Sequence, residues 1–318
     1  MTTHDNVIGL DNLKEVHFSD SPPLRCLHSK MRKGVLFCPT KIIKRCIFGN
    51  VWMGREIHLS PDKRKVLVRK VAIKIVTRPP NKESSENPVS ESVIHQYISR
   101  NADCKFISKS IEVIEEGNFI YMVSEYCVAE VFDLVHREGE FDEPTARQLF
   151  RQIAMAVGAM HRSGVVHRDL SLENIMLSEN GEVRLIDFGM ADFIPPSGNI
   201  NGIKGKAYYM SPALYYEKSG YNAKNADIWS LGPILCILLI GYPPWEEAKV
   251  TDKRFVRAVN GNLAQTLREW GYNLSPTALD LMQKLMRWHG EHEDIIYGTR
   301  DAPLTIPEIL AHPWLRDG

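Results

Sequence analysis

The stretch His167–Gly189, HRDLSLENIMLSENGEVRLIDFG, decides how the rest of the chain is read. Asn180-Gly181 lies between two β-type runs and is a strong signal for a two-residue hairpin turn. Such a turn fixes the register of the strands it joins. It would set Asn174 opposite Asp187 at the open end of the hairpin, with Cα atoms about 4.5–5.5 Å apart. Two oxygen-bearing side chains would then converge. That suits a hard cation such as Mg²⁺, which takes a few protein oxygens and leaves room for other ligands. Two polar residues ending a pair of strands is the plainer reading, and the geometry alone does not choose between them.

Outward from this hairpin the pattern changes character. From Lys41 to Glu125 most signals are strands. VLVRKVAIKIV (Val66–Val76) alternates and is rich in β-branched residues, and Ser110–Tyr126 reads as two strands around a turn at Glu115–Asn118. An amphipathic helix is expected near Val89–Ser99. After Tyr126 helical signals dominate. Asp142 and Pro144 start a helix that Gly164 stops, and Ala146, Leu149, Phe150, Ile153, Val157 and Met160 keep the 3.6 period. Further helices are centred near 229–240, 253–260, 275–287 and 305–311. The expected fold is α+β and bilobal. Residues 41–125 form a small antiparallel sheet with one helix, and residues 126–318 form a larger, mainly helical lobe. Residues 1–40 form an N-terminal extension, with a ligand cleft expected between the lobes.

The 318 residues carry no net charge and are 44% apolar. That is enough for two lobes with real cores and gives no case for nucleic-acid partners. Lys30–Lys33 and Lys63–Lys65 read as solvated surface, and His289 and His292 as a polar loop rather than a metal site. The cysteines show no CxxC pair, so free thiols in a reducing, cytoplasmic setting are expected, with the nucleus also open. The N-terminus has no apolar signal core, and Thr2 stands where myristoylation needs glycine. The apolar run in IWSLGPILCILLIG reads as a buried core helix rather than a membrane span. Nothing fixes the oligomeric state, and a monomer is assumed.

Lys74 lies in VAIK, His167-Arg168-Asp169 precedes Asn174, and Asp187-Phe188-Gly189 follows. DIWSLG (Asp227–Gly232) and HPW (His312–Trp314) come after in that order. Over about residues 41–316 this resembles the eukaryotic protein kinase family, Ser/Thr type. The resemblance implies transfer of the ATP γ-phosphate to protein substrates. It implies that Lys74 contacts the α- and β-phosphates, paired to Glu91, and that Asp169 orients the substrate hydroxyl. Asn174 and Asp187 would hold Mg²⁺, and Asp227 would anchor the catalytic loop. A nucleotide pocket would draw on Gly49, Val51, Ala72, Lys74, Ser124, Glu125, Cys127, Glu130 and Met176. Ser124 is a small residue at the back of that pocket. Glu130 and Glu173 match positions that read arginine before the acceptor in relatives preferring basic substrates.

The sequence also departs from the family pattern. Lys44 and Cys46 replace two of the three glycines of the phosphate loop and leave only Gly49. Ala213 and Pro303 stand where a buried Glu–Arg pair is usual; losing both partners costs far less than losing one. Ser171 replaces the catalytic-loop lysine, and Lys206 replaces the threonine that this lysine meets. The two side chains have changed places, so Lys206 is expected to supply the missing positive charge. Gly202 occupies the usual phosphoacceptor position of the activation segment (Asp187–Ala213), and Ser197 is the one Ser or Thr between Gly189 and Gly205. Activation without phosphorylation at that position is expected. Pro233 inside the central helix lacks an explanation at this level. Two readings stand: an active kinase, or a catalytically weak pseudokinase acting as a nucleotide-binding scaffold.

Overall fold

The computed structural model describes residues 26–59, 66–77, 87–217, 219–288 and 303–316. Lys63–Lys65, His289, His292 and the first part of the N-terminal extension lie outside the described residues. The chain forms two compact units, Met1–Gln96 with Ser108–Cys127, and Tyr97–Ile107 with Val128–Gly318.

The first unit is built on strands β1 (Leu27–His28), β2 (Val35–Cys46), β3 (Gly49–Leu59), β4 (Val66–Thr77), β5 (Ser110–Glu116) and β6 (Phe119–Glu125), with helix α1 (Pro88–Asn101) beginning in it. The six strands form one antiparallel sheet in the order β1-β2-β3-β4-β6-β5. Alternation puts Val71, Ile73 and Ile75 of β4 on one face, packed with Phe37, Trp52, Ile114 and Val123.

The sheet starts earlier than the expected boundary at residue 40. Leu27 pairs with Phe37 and His28 with Leu36, so Leu27–His28 and the start of β2 before residue 40 belong to the sheet. One pair further along that register, Cys26 and Cys38 are joined by a disulfide. This corrects the expectation of six free thiols: strand pairing, not spacing, brings the two together. Cys46, Cys104, Cys127 and Cys236 form no disulfide. Two buried carboxylates tie down the connecting loop. Glu112 accepts from Ser29 Oγ and Lys30 N, both at 2.6 Å. Glu56, fully buried, accepts from Arg32, Arg69 and His58 at 2.6 Å each. Burial pushes the Glu56 carboxyl up, but these donors more than offset it and leave it below the usual range.

The second unit contains β7 (Ala129–Glu130), α2 (Val131–Glu138), α3 (Glu143–Arg162), β8 (Val165–Val166), β9 (Ile175–Leu177), β10 (Val183–Leu185), β11 (Asp192–Phe193) and β12 (Asn199–Ile200). There follow α4 (Ala213–Tyr216), β13 (Tyr221–Asn222), α5 (Ala223–Ile240), α6 (Lys253–Arg257), α7 (Leu263–Glu269), α8 (Pro276–Leu285), α9 (Ile306–Leu310) and α10 (Pro313–Arg316). Asp142 caps α3 by accepting from Thr145 N at 2.9 Å, and all six predicted periodic residues are buried. Helix α5 is long and apolar enough to cross a membrane, yet most of it is buried inside this unit. It packs on α3 and α8. Pro233 removes one backbone donor from α5, at a cost of about 3 kcal/mol in a helix interior. Pro233 and the residues on both sides of it are buried, and nothing among the described residues explains the choice of proline there.

The hairpin of the opening stretch forms, but one residue out of the expected register. Leu185 pairs with Ile175 and Arg184 with Met176. Gly181 N donates to Ser178 O, Ser178 N donates to Glu182 O, and Gly181 alone takes positive φ (72°). This is a three-residue connection with glycine in the left-handed position, not a two-residue turn. Asn174 therefore lies opposite Ile186, whose N donates to Asn174 O at 3.0 Å. Asp187 falls one residue beyond the ladder.

Candidate active site

In the first unit, cross-strand pairing collects most of the predicted nucleotide residues on one sheet face. Val51 pairs with Lys74, Ala72 with Ser124 and Gly49 with Val76. Cross-strand partners share a face, so Gly49, Val51, Ala72, Lys74 and Ser124 stand together, opposite the Trp52–Ile73–Val123 core. Lys74 Nζ meets Glu91 Oε1 at 2.6 Å, both largely buried. Glu91 sits in the first turn of α1, where the helix dipole favours a carboxylate. Glu125 pairs with Val71 and so lies on the other face, where its carboxylate accepts from Lys109 N at 3.2 Å. Cys127 is buried at the end of this unit.

Gly49 has a structural reason to be kept. A Cβ there would run into the backbone of Ile75 and Val76. The surviving glycine thus serves the approach of β3 to β4. Thr77 N holds the tip of the β2–β3 hairpin through Phe48 O at 2.9 Å.

In the second unit, Asp227 of α5 organises the catalytic loop. Its carboxylate accepts from His167 N, Arg168 N and His161 Nε2, each at 2.9 Å. Burial pushes this carboxyl up; the bonds and charges of His161 and His167 outweigh it and hold it below its ordinary value. The clamp holds Arg168 at φ 66°, a backbone region that side chains other than glycine seldom occupy. Asp187 is likewise held at φ 60°. Strain of this kind persists where the surroundings over-determine it.

Asp169 lies at the centre. Asn174 Nδ2 donates to its backbone O and to its Oδ2, both at 2.8 Å. Both amide hydrogens are used, which leaves the Asn174 oxygen as the group it can offer a cation. With the Asp187 carboxylate this makes a pair of hard oxygen donors, which could hold a cation such as Mg²⁺. Lys206 Nζ donates to Ser171 Oγ at 2.8 Å and reaches Asp169 Oδ2 at 3.2 Å and Oδ1 at 3.4 Å. Ser171 is fully buried. The exchanged serine and lysine are therefore in direct contact. Among the described residues Asp169 Oδ1 has only the long contact to Lys206, so it is the less engaged of the two oxygens. Met176 stands between Glu130 and Arg184 in the three-stranded sheet, and Glu130 is the N-cap of α2. Ala213 packs against Val166, Ile200, Tyr221 and Ala223, so apolar contact stands where the family's buried ion pair would be.

Some contacts here were not foreseen. Glu173 Oε2 accepts from Tyr209 at 3.1 Å and Oε1 from Tyr208 at 3.4 Å. Arg168 Nη2 donates to Asn201 O at 2.7 Å, Gly202 O at 3.0 Å and Tyr221 Oη at 3.2 Å, and Nη1 meets Asp192 at 3.3 Å. The side chains that meet in these contacts are 24–53 residues apart, and no local spacing announces them.

Residues 62–315 match the protein kinase domain, and the chain belongs to that family. The match starts beyond β3, so the strand pair with the eroded glycine loop falls outside it. The chain is similar to calcium-dependent protein kinase 21 of Arabidopsis thaliana, at 31% identity over 87% of this chain and 49% of that protein. It is also similar to the serine/threonine-protein kinase kin-29 of Caenorhabditis briggsae, at 33% identity over 67% of this chain and 24% of that protein. A probable serine/threonine-protein kinase KIN1 homolog of Enterocytozoon bieneusi is 30% identical over 78% of this chain and 38% of its own length. The chain thus spans between a quarter and a half of the length of these relatives.

Proposed function

We propose that this chain is an active protein kinase that transfers the γ-phosphate of ATP, with Mg²⁺, to serine or threonine hydroxyls and prefers basic substrates. The observation that carries this reading is the contact of Lys206 with Ser171 and Asp169 beside Asn174. A chain that had merely lost its catalytic lysine would have no reason to hold another ammonium at the same place. Asn174 and Asp187 would hold Mg²⁺, which would supply positive charge against the phosphates. Asp169 orients and accepts the proton of the substrate hydroxyl. Lys206 supplies positive charge where the transferred group carries negative charge, and Lys74, fixed by Glu91, contacts the nucleotide phosphates. Such positioning and charge neutralisation are most of what phosphoryl transfer asks of a protein. Glu130 and Glu173 are the carboxylates for a basic substrate, and serine and threonine as acceptors are supported by the names of kin-29 and the KIN1 homolog, both serine/threonine-protein kinases.

The activation segment needs no phosphate in this reading. Arg168 already has Asp192, two carbonyls and the Tyr221 hydroxyl as partners. The test has two stages: a thermal-shift scan with and without Mg-ATP, then phosphate transfer to a generic basic protein. A shift followed by transfer is expected. A shift without transfer would establish the pseudokinase scaffold instead, and no shift would refute both readings.

A further inference from the structure

Glu173 lies in the single helical turn Leu172–Asn174, four residues after Asp169. Its two oxygens are held unequally. Oε2 takes the hydroxyl of Tyr209, which is buried and also accepts from Leu172 N at 3.2 Å. That half is fixed. Oε1 takes the hydroxyl of half-buried Tyr208 at 3.4 Å, long for an O–H···O bond. Among the described residues Glu173 has no lysine or arginine partner. A carboxyl group held only by neutral hydroxyls is suited to receive a cation, and the weaker of its contacts is the one a cation would displace.

Tyr208 is placed to control that exchange. Its ring leans on Tyr209, with centroids 4.6 Å apart. Its hydroxyl is pushed up to about 12, first by burial and then by the charge of Glu173, with Asp169 adding to it. The hydroxyl therefore keeps its proton and feels both the catalytic carboxylate and the candidate recognition carboxylate. Its ring offers a π-face to a guanidinium or ammonium.

We propose that Tyr208 is a specificity-determining residue: its ring guides a substrate arginine or lysine to Glu173, while its hydroxyl competes with that cation for Oε1. The proposal rests on the reading of the chain as an active kinase. Tyr208 touches the substrate side chain and takes no part in the transfer itself. The hydroxyl weakens the preference for a basic residue, and the ring strengthens it.

The experiment uses the full chain and synthetic peptides with a single serine. One arginine is moved along the positions before the serine, and the reference peptide has alanine there. The quantity read is the arginine-to-alanine ratio of kcat/KM at the best position. Tyr208→Phe, which removes the hydroxyl and keeps the ring, is expected to raise the ratio at least twofold. Tyr208→Ala is expected to lower it at least twofold, and Glu173→Gln to bring it close to one. A Tyr208→Phe ratio that changes by less than twofold or falls, or a preference that survives Glu173→Gln, overturns the proposal. Turnover by wild type with these ratios unmoved sinks this proposal alone. No turnover by wild type on any peptide sinks the kinase reading, and this proposal with it.

Discussion

Lys206→Ala is the most informative perturbation of this site. Lys206 Nζ lies 3.2 Å from Asp169 Oδ2, and the two side chains are 35% and 13% exposed. Two unit charges at that separation attract by about 5 kcal/mol at an effective dielectric of about 20. Exposure of a third of the lysine screens this to roughly half. A cation that stabilises charge developing in a transition state is worth about 3–4 kcal/mol, or about 10²–10³ in kcat. Lys206→Ala should therefore lower kcat by about 10²–10³-fold. The fold should survive. The variant loses this screened attraction and the partner of the buried Ser171 hydroxyl, together about 3 kcal/mol or roughly 10 °C in Tm. Adding Ser171→Lys restores an ammonium from the other side of the same contact, and the double variant should recover at least tenfold. The assay is steady-state phosphorylation of one serine peptide by the four members of the cycle, with Tm measured for each. If Lys206→Ala keeps kcat within threefold of wild type, the exchange has no catalytic meaning and the reasoning fails.

Asp227→Ala leaves the His167 and Arg168 amides buried without an acceptor and should cost about 3–5 kcal/mol, seen as a Tm loss of roughly 10 °C. Because the folded carboxyl sits below its ordinary value of 3.8, its stabilisation is complete above that value and fades as pH falls through the lowered one. The Tm gap between wild type and variant should hold from neutral pH down to about 5 and narrow only in stronger acid; a constant gap throughout would contradict the assignment. Ser197→Ala should keep activity within twofold, and active wild-type protein should show no phosphate on the activation segment by intact-mass analysis. Activity that tracks such a phosphate would remove Arg168 as a self-sufficient latch. Reducing Cys26–Cys38 opens a loop of 12 residues' separation and should cost up to about 3 kcal/mol. A Tm unmoved by dithiothreitol, or one that moves equally in Cys26→Ser, would show that the link does not restrain the sheet.

The sequence by itself determined whatever depends on near neighbours. Asp142 with Pro144, the 3.6 spacing of Ala146 to Met160, and the alternation of Val66–Val76 announced α3 and β4 because caps, helix faces and strand faces are local. The order of VAIK, HRD, DFG, DIWSLG and HPW announced the family. The exchange of Ser171 and Lys206 was legible because the resemblance supplied the pairing that sequence separation hides, and the structure brings the two side chains to 2.8 Å. Only the tertiary structure decided which of two turns Asn180-Gly181 makes. The turn signal fits both a two-residue and a three-residue connection, and a one-residue change in register decides whether Asn174 faces Asp187 or Ile186. It also decided that Cys26 meets Cys38, that Gly49 is needed by the sheet itself, and that Glu173 is held by two tyrosines. The physical reason is pairing. Each depends on which backbone groups and side chains come to lie side by side, within one hairpin or across segments far apart in the chain, and local spacing carries no record of that.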